Sequence, residues 1–342
     1  MTRVGPARTR IAALSAALLA TVALAAGCGG SSSATNSDGT TTVRYQSSQG
    51  TVDALQLADA LGYLKNIKLK KVGDVTGGPD SLRALASRQI DIGASAFYGA
   101  VAQLVATGVP IKAVVSTYGS NGDISSVVAT PTGSGIKTAQ DLVGKKVAVN
   151  TLGANAEAVL DTWFEKEGLS ADEIKQVTLV PLPPLNTAQA LKEHQVDAAY
   201  IGLGQLKAAN AAVPLTTLVT DTDVVGNYNG GGFTLRDDFI KSNRQAAETL
   251  ATGVGKAVDY IESHSREDVL EVYEKWLTDN GYASYIDAVE TNWAGHTGVS
   301  SPHGTISDND IQLWLDWLGG RGDVDVDKIK PSDVYTNDLN KG

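Results

Sequence analysis

Ala84-Leu85-Ala86-Ser87-Arg88-Gln89-Ile90-Asp91 and Ala190-Leu191-Lys192-Glu193-His194-Gln195-Val196-Asp197 are one pattern written twice, 106 residues apart. Ala, Leu, Gln and Asp recur in register, and Ile90 is matched by Val196. At the same offset Asp80-Ser81 meets Asn186-Thr187, Gly62 meets Gly168, and Val43-Arg44-Tyr45 meets Val149-Asn150-Thr151. Agreement of element types over about 60 residues points to an internal repeat.

Each copy reads strand, helix, strand, helix, strand. In the first, Thr42 to Gln46 is a strand, and Val52 to Leu61 a helix stopped by Gly62. Ile67 to Val72 is a strand, Asp80 or Ser81 caps a helix through Ser87, and Ile90 to Ala94 is a buried strand. In the second copy the strands are Lys146–Val149, Val177–Leu182 and Val196–Tyr200, with helices Ala156–Glu167 and Thr187–His194. Strands alternating with helices at this spacing imply parallel sheets with helices on both faces. The expected architecture is therefore α/β with two similar lobes.

The lobes are not simply consecutive. Ile124 to Ala129 reads as a strand leaving the first lobe, and Gly230 to Leu235 as a strand returning to it. Beyond residue 236 the chain is mostly helical (237–243, 244–263, 266–280, 308–318), with too few strands for a third α/β domain. It completes the first lobe instead. Lobe 1 is thus expected at 42–125 and 231–342, lobe 2 at 126–230, with two strand-like crossovers forming a hinge.

Ile136-Lys137-Thr138-Ala139-Gln140-Asp141-Leu142-Val143-Gly144-Lys145-Lys146-Val147-Ala148-Val149 leads into the second lobe. With the two segments ending at Asp91 and Asp197, it resembles the ABC-importer solute-binding proteins of the sulfonate, taurine, nitrate and thiamine-precursor group. The resemblance covers about residues 42–335. It implies a two-lobed periplasmic binding protein type II fold of mixed sheets, flanking helices and a two-segment hinge. It further implies a small-molecule ligand, ABC permease and ATPase partners, no cofactor and a monomer. Sulfonate-type members carry a Ser-rich loop and a His after the strand at Val149. Here the chain reads Asn150-Thr151-Leu152-Gly153-Ala154-Asn155, which leaves the ligand open.

In open α/β sheets ligands bind beyond the carboxyl ends of strands, where the following helices begin. The candidates from lobe 1 are Gln46, Ser47, Ser48, Gly78, Ser95 and Tyr118; from lobe 2 they are Thr151, Gly153, Asn155 and Tyr200. Tyr228 is a further candidate for the cleft wall, whereas Trp293, Trp314 and Trp317 read as packing residues. No lysine or arginine occurs in these loops, so a bound anion must be neutralised by helix ends. A sulfonate-like anion fits that description. So does a neutral heterocycle such as a pyrimidine or flavin. Ser48, Thr51, Asp80, Asn186 and Thr187 equally suit helix N-caps.

The chain begins with Arg3, Arg8 and Arg10, then an apolar run from Ile11 to Ala26 and Gly27-Cys28. That run is short for a membrane-crossing helix and reads as a signal, residues 1–27. Leu24-Ala25-Ala26-Gly27-Cys28 is similar to a bacterial lipobox. This implies acylation, palmitate included, at Cys28, the single cysteine of the chain. Residues 28–41 are rich in Gly, Ser and Thr and suit a flexible tether. The expected location is the outer face of the bacterial cell membrane.

Losing the signal takes the formal charge from −10 to −13. An acidic body excludes a role based on the nucleic-acid backbone, which needs a basic face. One cysteine excludes an internal disulfide or a Cys-rich metal site. His194, His264, His296 and His303 have no metal-ligand spacing, and none adjoins a candidate nucleophile. The reading is a binding protein and not an enzyme; the alternative is a lipoprotein enzyme or sensor that uses the same fold without a transporter.

Overall fold

The computed structural model describes residues 36, 38–75 and 77–342. Cys28, the signal and most of the tether lie outside the described residues. The chain runs through β1 (Thr41–Ser47), α1 (Ala54–Ala60), β2 (Ile67–Asp74), α2 (Gly78–Ala86), β3 (Ile92–Phe97), α3 (Tyr98–Ala106) and β4 (Ile111–Ser120). It then enters β5 (Val127–Pro131), β6 (Lys146–Val149), α4 (Asn155–Lys166), α5 (Ala171–Ile174), β7 (Thr178–Pro181), α6 (Thr187–Lys192), β8 (Ala198–Ile201), α7 (Leu203–Ala212) and β9 (Leu215–Thr220). After α8 (Asp221–Val225) and β10 (Tyr228–Arg236) come α9 (Asp237–Ser242), α10 (Arg244–Ser263), α11 (Arg266–Asp279), α12 (Ile286–Asn292), α13 (Asp308–Arg321) and α14 (Pro331–Val334).

The two lobes share one strand order. The second is β7-β6-β8-β5-β9. In the first, β2 pairs with β1 and β10 lies between β3 and β4. The gap between β1 and β3 is bridged where Asp91 N–H donates to the Arg44 carbonyl at 2.8 Å. The repeat-derived strands run parallel (β1 with β2, β6 with β7 and β8), but each sheet also holds one strand that arrives from the other lobe. Those two, β5 and β10, run antiparallel to their neighbours, so the sheets are mixed, as the resemblance implied, and parallel only among the strands of the repeat.

The repeated octapeptide has a definite job. Arg88 and His194 occupy the left-handed region at φ 62° and 55°. That reversal lets Gln89 N–H reach the Ala84 carbonyl and Gln195 N–H the Ala190 carbonyl, both at 2.9 Å. Ile90 and Val196 are then buried, and each aspartate closes onto the neighbouring strand. Asp91 Oδ2 accepts Arg44 N–H at 2.9 Å, and Asp197 Oδ2 accepts Lys146 N–H at 2.8 Å.

This equivalence of Arg44 with Lys146 corrects the upstream alignment, which set Val43-Arg44-Tyr45 against Val149-Asn150-Thr151. The offset there is 102, not 106, because α4 has 12 residues and α1 has 7, so an extra helical turn intervenes.

The return crossover also moves. Residues 230–235 lie inside β10, buried at the centre of the first sheet, and the chain crosses back near Gly226. The expected side-chain caps fail as well. The N-caps of α2 and α6 are Gly77 and Asn186, without side-chain hydrogen bonds, while Ser81 Oγ instead accepts Ala94 N–H at 2.9 Å.

The C-terminal helices cover the first lobe. Ala247, Leu250, Ala251, Val254, Val258 and Ile261 form the buried stripe of α10, which packs with Leu55, Leu57 and Ala58 of α1. On α13, Trp314 is buried against Phe97, with ring centroids 4.9 Å apart. The same helix reaches the second lobe, where Trp317 Nε1 donates to Asp161 at 3.1 Å and Arg321 pairs with Glu157 and Asp161.

Candidate functional site

The strand ends of both lobes face one cleft of ≈ 600 Å³. The six strand-to-helix connections of the two repeat copies reach its lining, through Ser48, Gly78, Phe97, Asn155, Leu185 and Gly202 among others. The volume falls within the range of small-molecule sites. Opposite walls come close at the rim: a Cβ on Gly204 of α7 would lie 1.8 Å from the Asn292 carbonyl oxygen of α12. Only glycine permits that approach.

Ser48, Gly78, Tyr118, Asn155 and Tyr200 all line the cleft. Gln46 and Ser47 do not: β1 extends through Ser47, which is 1% exposed, and Gln46 beside it is half-buried. Thr151 sits against Gly77 outside the lining. Gly153 is exposed at φ 67°, and its N–H is taken by Glu157 Oε2 at 2.9 Å. Ser95 stands in β3, and its side chain lies outside the described residues.

Behind the lining, both crossovers meet at one buried carboxylate. Asp221 Oδ2 accepts from Ser120 Oγ at 2.6 Å, Tyr228 OH at 2.9 Å and Tyr200 OH at 3.0 Å, and Oδ1 accepts from Ser126 N–H at 3.1 Å. Ser120 ends β4, Ser126 precedes β5, Asp221 opens α8 and Tyr228 opens β10. Asn155 Nδ2 donates to Tyr228 OH at 2.9 Å and Tyr200 OH at 3.1 Å. Tyr228 thus serves this network and not the cleft wall. Burial raises the Tyr200 and Tyr228 phenols well above their ordinary range, so both stay protonated donors.

The remaining walls are aromatic and acidic. Phe97, Tyr118, Phe233 and Trp293 line the cleft, and burial raises the Tyr118 phenol. Trp293, expected only to pack, is therefore part of the wall. Asp53 is 8% exposed and caps α1, with Oδ1 accepting Leu55 N–H at 2.9 Å and Gln56 N–H at 3.2 Å. Burial raises its pKa to about 6, against those hydrogen bonds and the charge of Lys71. Asp74 is paired with Lys71 at 2.6 Å. Among the described residues no lysine or arginine lines the cleft.

Sequence reasoning missed Asp53 and Asp221. Asp53 falls inside the expected helix Val52–Leu61, and Asp221 finds its Ser120 partner 101 residues away. The imidazole in the lining, His296, faces Glu262 at 3.5 Å and hydrogen bonds to no hydroxyl among the described residues.

A model of the family described as NMT1/THI5 like matches residues 52–267. No curated protein matches the sequence. Among solved structures, the alkanesulfonate-binding protein SsuA from Xanthomonas axonopodis pv. citri, bound to MOPS, is 20% identical with a TM-score of 0.65. The match covers 86% of this chain and 98% of that one. The periplasmic nitrate-binding protein NrtA from Synechocystis PCC 6803 is 15% identical with a TM-score of 0.63, over 88% of this chain and 87% of its own. The desulfurization enzyme DszB is 15% identical with a TM-score of 0.56, over 87% and 97%. These likenesses establish the two-lobed periplasmic binding protein fold, which binding proteins and an enzyme share.

Proposed function

The chain belongs to the NMT1/THI5-like family, and on that premise we propose that it is the extracytoplasmic substrate-binding lipoprotein of an ABC importer. One small organic molecule is captured between the lobes and handed to permease and ATPase subunits. The observation that supports this reading is the ≈ 600 Å³ cleft walled by both lobes, behind which Asp221 gathers both crossovers. Hinge bending at 121–126 and 226–227 then opens and closes the site, because only the closed form lets a ligand touch both walls.

The lining favours an aromatic ligand without net negative charge. Five aromatic residues border the cleft, although Phe97 and Phe233 are almost wholly buried, and Asp53 and Asp74 add carboxylates without a lining lysine or arginine among the described residues. A neutral heterocycle fits these walls better than a sulfonate-like anion does. The anion remains the second reading on one observation: the first residues of α2 and α4 open on the cleft and offer helix N-termini. Turnover is not proposed, because among the described residues the lining holds no hydroxyl–imidazole pair of the kind nucleophilic catalysis uses. Export and acylation at Cys28 complete the reading, supported by the basic, apolar and lipobox-like order of residues 3–28, and we take the chain to act as a monomer.

A thermal-shift panel of pyrimidines, riboflavin, aromatic acids, taurine, alkanesulfonates and nitrate tests the ligand, with calorimetry and small-angle scattering on each hit. A hit should make the particle more compact. No hit, or unchanged scattering with a saturating hit, would sink the importer reading. Separately, Cys28→Ser should release folded protein from the membrane fraction, and retention there would sink the lipid anchor.

A further inference from the structure

Two residues that line the cleft, one from each lobe, each hold an acceptor without a hydrogen-bond partner among the described residues: Asp53 Oδ2, which keeps accessible surface, and Asn155 Oδ1, which is fully buried. Asp53 spends Oδ1 on the α1 cap, while Oδ2 has no hydrogen-bond partner among the described residues. Lys71 does not supply one: its ammonium pairs with Asp74 at 2.6 Å, donates to Tyr285 OH at 2.7 Å and lies over the Tyr282 and Tyr285 rings. Across the cleft, the Asn155 amide is oriented by its neighbours. Tyr200 and Tyr228 give their hydroxyl protons to Asp221, so both accept from Asn155, and Nδ2 must face them. Asn155 Oδ1 is left buried and unpartnered.

A buried acceptor without a donor costs stability, and a buried carboxylate costs more. A ligand that brings a donor to Asp53 offsets the cost there, and one that also satisfies Asn155 Oδ1 requires the lobes to shift on closure so that this buried oxygen becomes reachable. We propose that Asp53 and Asn155 form a two-lobe acceptor pair that selects a cationic N–H donor, an amidinium or protonated amine on an aromatic ring. Carboxylate and sulfonate ligands are excluded by the same pair. The proposal rests on the binding-protein reading and deepens its ligand class. Tyr118 and Trp293 suit the ring, since aromatic faces attract cations.

The test uses rings of one size and opposite charge: benzamidine and 4-aminopyridine against benzoate and benzenesulfonate, by thermal shift and calorimetry. The cations should bind the wild type and the anions should not, a comparison that needs no variant. Asp53→Asn keeps a capping oxygen but can turn a donor into the cleft, and cation affinity should fall at least tenfold. Unchanged cation affinity in that variant overturns the proposal, as does failure of both cations to bind the wild type. Benzenesulfonate binding with lobe closure would also overturn it while leaving the binding-protein reading intact, which the wider panel decides separately.

Discussion

Asp91 and Asp197 end the same octapeptide and make the same two-point contact with the neighbouring strand, yet they live in different surroundings. Asp197 is half-buried, and its carboxylate meets the Lys146 backbone at an exposed edge. Asp91 is 0% exposed and also pairs with Arg44 at 2.8 Å and Arg236 at 3.4 Å. The repeat itself thus encodes strand registration. What covers it is decided by chain from elsewhere, since Arg236 arrives at the end of β10, after the entire second lobe.

That difference predicts unequal costs for one substitution. Asp91→Ala removes a carboxylate shared by two largely buried guanidiniums, of which Arg236 keeps Asp238 and two backbone carbonyls, and should lower stability by about 3 kcal/mol. Asp197→Ala loses one hydrogen bond near water and should cost about 1 kcal/mol. Urea denaturation of both variants checks this. Equal losses would show that the buried charges contribute nothing beyond the shared contact.

The first helices differ too. α1 is capped by the Asp53 side chain, whereas the N-cap of α4 is Ala154, which offers none. Asp53 has a folded pKa of about 6, above its ordinary 3.8, because burial disfavours its charge. The folded state therefore holds this proton more tightly than the unfolded chain does. The resulting stability is fully present below pH 3.8 and is lost as pH rises through about 6. Lys71 from β2, Tyr45 from β1 and Tyr273 from α11 are the ionisable groups facing it. Wild-type stability minus that of Asp53→Asn, in the ligand-free protein, should fall by on the order of 2–3 kcal/mol across that window. A flat difference would mean that Asp53 is solvated like an ordinary surface carboxylate.

The smallest effect concerns the turn that both copies share. Glycine at Arg88 or His194 removes a side chain from left-handed backbone and should raise stability by about 0.5–1 kcal/mol. The gain at 88 should be the lesser, since Arg88 also pairs with Asp238. Melting temperatures of the two variants decide it, and destabilisation at both would show that the turn tolerates these side chains without strain.

Much of the fold was legible because the repeat carries its own punctuation: a turn, a buried β-branched residue and an aspartate at fixed spacing. The extra turn of α4 was not legible, because Asn155 to Lys166 continues a helical pattern with nothing marking where the first copy is shorter. The site was half legible. Loop positions follow from strand ends, but which side chain faces the cleft depends on strand phase, and one residue more of β1 turns Ser47 inward. The Asp221 network spans sequence separations up to 101 residues, and Asn155 acquires its unpartnered oxygen only through it. Such long-range hydrogen bonds leave no periodic trace.

The placing of β10 between β3 and β4 sets a timetable for a chain that leaves the ribosome N-terminus first. The five strands of the second sheet all fall between residues 127 and 220, so that lobe has all its strands once residue 220 has emerged. The first lobe must wait, with the facing edges of β3 and β4 unpaired until residues 228–236 slide between them. Open strand edges invite pairing with other chains. The inserted lobe therefore has all its strands available before the first lobe can complete its sheet.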